Sequence, residues 1–377
     1  MNKINNINFD INILGYLFFI LAYPFFAMSI GLSSNTTFNQ FYYSFQTVFC
    51  IIISVIFFIK SRNLLVYFFV SLILMMFFLS CFSRFYSYLD GIYFLKFLGY
   101  FFAGYSFFKY FIFSKGNNKL IILFIYICCL FSTLNFNYNE GNYLYYSECI
   151  VVFSFFIISA ISKNNLTSYV GSILIFFLSL TSLYFINSRS AILFFSLSFL
   201  FFSFLFYGFK RSLFLITPLF SLIIVYLFYL NSTLDNYSDH RLLRLLFDRE
   251  SDTSLSAREL VNQFGKETFM KNWFTGDFGL YRGVFGEGLY AHNFYSFLAE
   301  FGIIGLLFLV FVFFVFSIGF WNIFKSNYQR IEIFLLLCLI YTLLGLILSK
   351  SYIWLFLYFT VGMTVSYLNH KSSFSSK

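Results

Sequence analysis

The sequence predicts an all-α polytopic integral membrane protein with about twelve transmembrane helices, since a span needs roughly 20 apolar residues and such runs recur along the chain. Three observations carry this expectation. Apolar residues make up 60% of the 377 and charged residues 10%, against about 25% charged in an ordinary soluble domain. The 65 Phe and 30 Tyr are more aromatic surface than a soluble fold could hide. The basic residues also alternate between successive connections, as they do in membrane proteins.

In chain order, spans are expected at 11–31, 41–59, 64–82, 92–113, 120–138, 144–162, 166–186, 190–209, 213–231, 293–320, 331–349 and 351–368. The first follows a largely polar stretch at 1–10. It is too long for a signal-peptide core, and no small-residue cleavage site follows it. With the N-terminus in the cytoplasm, the cytoplasmic connections hold Lys3, Lys60, Arg62, Lys115, Lys119, Lys163, Lys210, Arg211, Lys325, Arg330, Lys371 and Lys377, twelve of the 24 cations. The short outer loops hold Arg84, Arg189 and Lys350. The positive-inside rule then places both termini in the cytoplasm. It also accounts for the net charge of +9, so nucleic acid is not a partner. Lys96 and Lys109, inside span 92–113, are expected to snorkel to the two opposite faces. Apart from these two, the middles of the spans read as nearly uncharged.

The chain is expected to form a single membrane domain over 1–377, with one large outer loop at 232–292. That loop holds seven cations (Arg241, Arg244, Arg249, Arg258, Lys266, Lys271, Arg282) and nine of the 15 carboxylates. Connections this long are functional or disordered, and this one carries apolar residues at helical spacing. Residues 240–249 could lie on the membrane surface. Ser256 followed by Glu259 fits a capping box that opens a helix near 257–268. There is no repeat of six plus six helices, and the middle connection near Lys163 is very short. Both points weigh against a two-halved transporter.

The six Cys lie in or beside apolar runs, with no metal-ligand spacing and no disulfide framework. Asp248, Glu250 and Asp252 are interleaved with Arg249 and read as a salt-bridged surface. Asp90, Glu140 and Glu148 read as solvated loop charges. Among the three His, His370 lies in the cytoplasmic tail and His240 on the loop surface. His292 lies at the outer membrane boundary, directly before span 293–320; it reads equally as part of a polar helix cap with Asn293 or as a site residue. Arg189 places one guanidinium at the outer junction of two apolar spans, where a charge needs a partner; anchor and ligand roles are both open. Arg244, Arg258 and Arg282 lie in the same outer region, and guanidinium groups bind phosphate oxygens bidentately. The glycine-rich 275–288 lacks the GK[ST] of a P-loop and suits close backbone turns beside a ligand.

Four pieces in order carry a resemblance: NSRSA at 187–191, LSAREL at 255–260, KNWFTGDFG at 271–279 and AHNFYSFLAEFGIIGLL at 291–307. Together they resemble the family of O-antigen polymerases (Wzy-type) and O-antigen ligases, over about 187–310. The chain has Ser296 where the family pattern usually has Leu, and Trp273 where Pro is common. The resemblance implies a fold like the class C glycosyltransferases. It implies an enzyme that transfers a whole glycan from undecaprenyl pyrophosphate to an acceptor hydroxyl, at the periplasmic face of the bacterial inner membrane, without a metal or other cofactor. His292 would then be the general base. Arg189 and Arg258 would stabilise the leaving pyrophosphate, with Asn293, Arg244 and Arg282 as further substrate contacts. A lateral groove rich in Phe would hold the lipid. The partners implied are the lipid-linked donor and acceptor and a chain-length regulator protein. A polymerase of lipopolysaccharide repeat units is the reading preferred; a ligase to lipid A–core is the alternative within the family. A lipid-linked-oligosaccharide flippase or other transporter is the alternative from another class.

Overall fold

The computed structural model describes residues 36–83, 86–111, 118–133, 143–162, 165–213, 253–286, 293–326 and 330–375. All regular structure among them is helical. The helices are α1 (Thr36–Lys60), α2 (Leu64–Cys81), α3 (Tyr88–Phe111), α4 (Asn118–Thr133), α5 (Tyr143–Ile161), α6 (Leu166–Phe185), α7 (Arg189–Tyr207), α8 (Thr253–Lys271), α9 (Leu280–Phe285), α10 (Tyr295–Phe324), α11 (Arg330–Leu348) and α12 (Leu355–Ser375). Five of them, α2, α6, α7, α10 and α11, are long and apolar enough to cross a membrane. The expected spans 11–31 and 213–231 lie outside the described residues, except for Leu213. So do Arg84, Glu140, His240, Arg244, the surface segment 240–249 and the acid cluster 248–252.

The helices begin and turn where the local chemistry directs. Asn63 caps α2, its side chain accepting from Leu65 N, and Asn165 caps α6, accepting from Ser168 N; Asn is among the strongest N-cap residues. The α6–α7 turn passes through Asn187 at φ 61°, a left-handed conformation that Asn tolerates better than most residues. Gly104 of α3 lies against Phe359 O of α12, and Gly362 of α12 against Phe101 O of α3. Any side chain at either glycine would force these two helices apart, as at small-residue contacts in membrane bundles.

Contacts between distant segments define two ends of the bundle. At one end, Tyr207 Oη donates to Ser162 Oγ, Tyr367 Oη and Ser326 Oγ donate to Glu332, and Asn369 Nδ2 donates to Tyr105 Oη. At the other, Ser83 meets Phe278, Arg282 meets Asp90, Tyr352 meets Ser296, Lys350 meets Glu148 and Ser188 meets Ser147. This second end gathers the connections that the charge pattern assigned to one side.

Several expectations are corrected. α8 starts at Thr253, so Ser256 lies within the first turn and is not the cap. α12 runs on to Ser375, so His370 is half-buried on a helix and not in a free tail. Lys96 is buried at 8% exposure and does not snorkel. It shares a face of α3 with Gly99, which packs against Cys50 of α1. Asp90 and Glu148 are not solvated loop charges; each lies on a helix in an ion pair. Glu300 and Glu332 are buried in the first two turns of α10 and α11, toward the helix ends and not in the middles of the spans.

Candidate functional site

The site end is organised by a break in α10. Asn293 stands at φ 123°. Its Oδ1 accepts from Tyr295 N at 2.9 Å, and its carbonyl accepts from Ser296 N and Ser296 Oγ. Its side-chain carbonyl thus caps the helix. Ser296 Oγ in turn accepts from Tyr352 N at 3.0 Å, tying the α11–α12 turn to the start of α10. A Leu at this position could not accept that bond.

Two turns on, Gly302 leaves the helix at φ 53°, ψ −128°. A break frees backbone groups that an apolar environment leaves unsatisfied. The loop 272–279 meets them. Asp277 N donates to Ala299 O at 2.8 Å, Ile303 N donates to Phe274 O at 3.2 Å, and Gly279 N donates to Glu300 Oε2 at 2.6 Å. Glycine is required at both sides of this contact. A Cβ on Gly302 would stand 2.5 Å from Gly276 N and 2.6 Å from Phe274 O, and one on Gly276 would stand 2.5 Å from Glu300 O.

The docked loop leads into α9, which carries Arg282. Its Nη2 donates to Asp90 Oδ1 at 2.8 Å, and its Nη1 to Asp90 Oδ2 at 3.1 Å and Ser87 Oγ at 3.3 Å. Asp90 is held in place from its own side, because Ser87 N donates to its Oδ2 at 2.8 Å in a capping-box arrangement at the start of α3. The guanidinium also lies 5.9 Å from the Phe278 ring centre. Burial pulls its pKa down, but the bond to and charge of Asp90 outweigh this and hold it above the usual value. Next to it, Tyr281 is buried among Val261, Phe264, Phe285 and Ala299. Burial and the nearby Glu300 charge push its phenol well above its ordinary range.

A second ion pair lies at the same end. Lys350 Nζ lies 3.0 Å from Glu148 Oε1, which also accepts from Trp354 Nε1, and the ammonium sits 5.3 Å from the Trp354 ring centre. Ser188 Oγ donates to Ser147 Oγ at 3.2 Å. That bond sets the start of α7, whose first residue is the half-buried Arg189, beside the start of α5.

The sequence-derived candidates are distributed as follows. Arg189 and Arg282 are both at this end. Arg258 is half-buried on α8, which packs along α10. Asn293 is at the α10 cap. His292 and Arg244 lie outside the described residues. Asp90, Glu148, Glu300 and Lys350 were not singled out as site residues from sequence. The signal for Glu300 was an acid within an apolar span, which marks function by default. Among the described residues no three His, Cys, Asp or Glu side chains converge as metal ligands. What this end offers is two cation–carboxylate pairs, Arg282 with Asp90 and Lys350 with Glu148, beside apolar and aromatic side chains. No family model matches the chain, and no curated protein matches it.

Proposed function

We propose that the chain is an O-antigen polymerase, a glycosyltransferase of the bacterial inner membrane that joins undecaprenyl-pyrophosphate-linked repeat units in lipopolysaccharide synthesis. In this reading both termini are cytoplasmic and the site end faces the periplasm. One observation carries it. The KNWFTGDFG loop, beyond the end of α8, is hydrogen-bonded to the AEFGIIG segment of α10 and brings Arg282 to the end that holds Arg189. Two of the four resembling pieces, bonded through residues about twenty positions apart in sequence, thus form one structure.

The chemistry asked of the site is a displacement. An acceptor hydroxyl oxygen attacks the anomeric carbon of the donor glycan. The bond from that carbon to the pyrophosphate oxygen breaks, and the pyrophosphate leaves with the electron pair. The hydroxyl proton passes to His292, the general base. Arg189 and Arg258 stabilise the charge growing on the pyrophosphate, where fixed cations in a partly dry site act most strongly. Asn293, Arg244 and Arg282 orient the substrates. The donor and acceptor are both lipid-linked, and a chain-length regulator protein is the expected partner.

The test is His292→Ala, expressed in a strain lacking the native chain, with its membrane level confirmed and its lipopolysaccharide run on a gel. Loss of a general base costs about 10²–10⁴-fold in rate, so the expected product is core carrying a single repeat unit. Core with no O-antigen at all points to a ligase or to failed export. An unchanged ladder removes His292 as the base and the mechanism with it.

A further inference from the structure

α2 and α3 enclose a groove of about 380 Å³ near the site end, a size at the low end of ligand pockets (about 300–1,000 Å³). Ile73 and Phe77 of α2 and Phe94 and Leu98 of α3 form its walls, and Gly91 lines its upper end. It opens sideways from the bundle. Leu74 and Leu95 at its rim are 44% and 38% exposed. A row of aromatic contacts links its upper end to the polar site. Phe77 packs edge-on against Phe94, Phe94 against Phe278, and Phe278 lies under the Arg282 guanidinium. Gly91, in the groove, directly follows Asp90, the partner of Arg282.

Arg282 is not used up by that partner. Bonds to Asp90 and Ser87 occupy both Nη1–H groups and one on Nη2. The Nε–H and the second Nη2–H, which form the other bidentate edge of a guanidinium, have no partner among the described residues, and its side chain is 26% exposed. A charged donor edge at the head of an apolar, laterally open groove suits a ligand with a phosphate at one end and a single hydrocarbon chain.

We propose that the α2–α3 groove seats the head-proximal part of a polyprenyl chain, with Arg282 meeting its phosphate. This rests on the reading of the chain as a polyprenyl-pyrophosphate-dependent glycosyltransferase and adds where the lipid enters. One groove holds one chain. A two-chain phospholipid would leave its second tail outside, so the polyprenyl lipid is the occupant.

The test uses the purified full-length chain in phosphatidylcholine nanodiscs and undecaprenyl phosphate with a photoreactive diazirine in its head-proximal isoprene unit. Labelling is expected on peptides of α2 and α3 spanning 73–98. Leu74→Trp or Leu95→Trp, each filling the groove from its exposed rim, should lower labelling about tenfold. Unlabelled undecaprenyl phosphate should compete about tenfold better than undecaprenol, the loss expected when a charge-assisted phosphate contact is removed. In Arg282→Gln/Asp90→Asn, which keeps a hydrogen-bonded pair without charge, that difference should vanish. Label confined to other helices overturns the groove, as does equal competition by phosphatidylglycerol. The His292→Ala gel decides the glycosyl-transfer reading separately, because it does not depend on where the lipid binds.

Discussion

Replacing Gly302 by Ala should undock the loop that carries Arg282. Two costs add. The backbone at φ 53°, ψ −128° is open only to glycine, and forcing another residue there costs about 1–3 kcal/mol. The new Cβ would also stand 2.5–2.7 Å from Gly276 N and from Phe274 O and C, all main-chain atoms that cannot swing aside. Overpacking of this kind costs about 1–3 kcal/mol. The sum is about 2–6 kcal/mol, capped by what the loop loses on leaving. That loss is three hydrogen bonds, from Asp277 N, Gly279 N and Ile303 N, at about 1 kcal/mol each. Gly208 is the internal control. It also has a positive φ of 85°, but nothing lies within 4 Å of its missing Cβ, so Gly208→Ala should carry the backbone cost alone. The assay is equilibrium unfolding of purified protein by SDS titration in mixed micelles, with limited proteolysis between residues 272 and 286. Gly302→Ala should be less stable than Gly208→Ala by about 1–3 kcal/mol, and its loop should be cut faster. Equal stability and equal cutting would mean that the loop does not rest on the α10 break.

Four further outcomes follow from the same contacts. Arg282→Ala leaves Asp90 buried without its cation; removing one partner of a buried pair costs about 3–5 kcal/mol, and partial exposure of the guanidinium lowers this to about 2–3, measurable in the same titration. The paired replacement Arg282→Met/Asp90→Leu should recover most of that loss, since apolar substitutes for a buried pair are often neutral. Ser296→Ala removes the acceptor for Tyr352 N and should cost about 1–3 kcal/mol, the penalty for an unsatisfied buried amide. Glycan polymerisation in isolated membranes should continue in EDTA; abolition by EDTA and recovery with a divalent cation would refute a metal-independent transfer.

Much of the layout was readable in the sequence, because each feature depends on local chemistry. The alternation of cations between connections sorted the helix ends, and contacts such as Ser83 with Phe278 and Lys350 with Glu148 bring together connections assigned to one side. The loop was read as a folded element with a helix near 257–268, and α8 covers that range. Partnerships across the fold were not readable. Asp90 and Arg282 are 192 residues apart, and Glu148 and Lys350 are 202 apart. An acid next to a predicted span looks solvated until the helix that covers it is known. Lys96 is the same kind of case: it is buried at a face of α3 that packs against α1, through Gly99 and Cys50. Glu300 sat in plain view within AEFGIIG, but its role as acceptor for Gly279 N depends on a loop docking from outside the helix.

The central claim is that this chain joins lipid-linked glycans. The direct measurement is to incubate the purified full-length chain with lipid-linked repeat units extracted from a strain that lacks it, and to separate the products by size. A ladder of glycans, with one undecaprenyl pyrophosphate released for each bond formed, is the predicted result. Repeat units left at their starting length would contradict it, whether they are moved to added lipid A–core or only carried across the membrane of proteoliposomes.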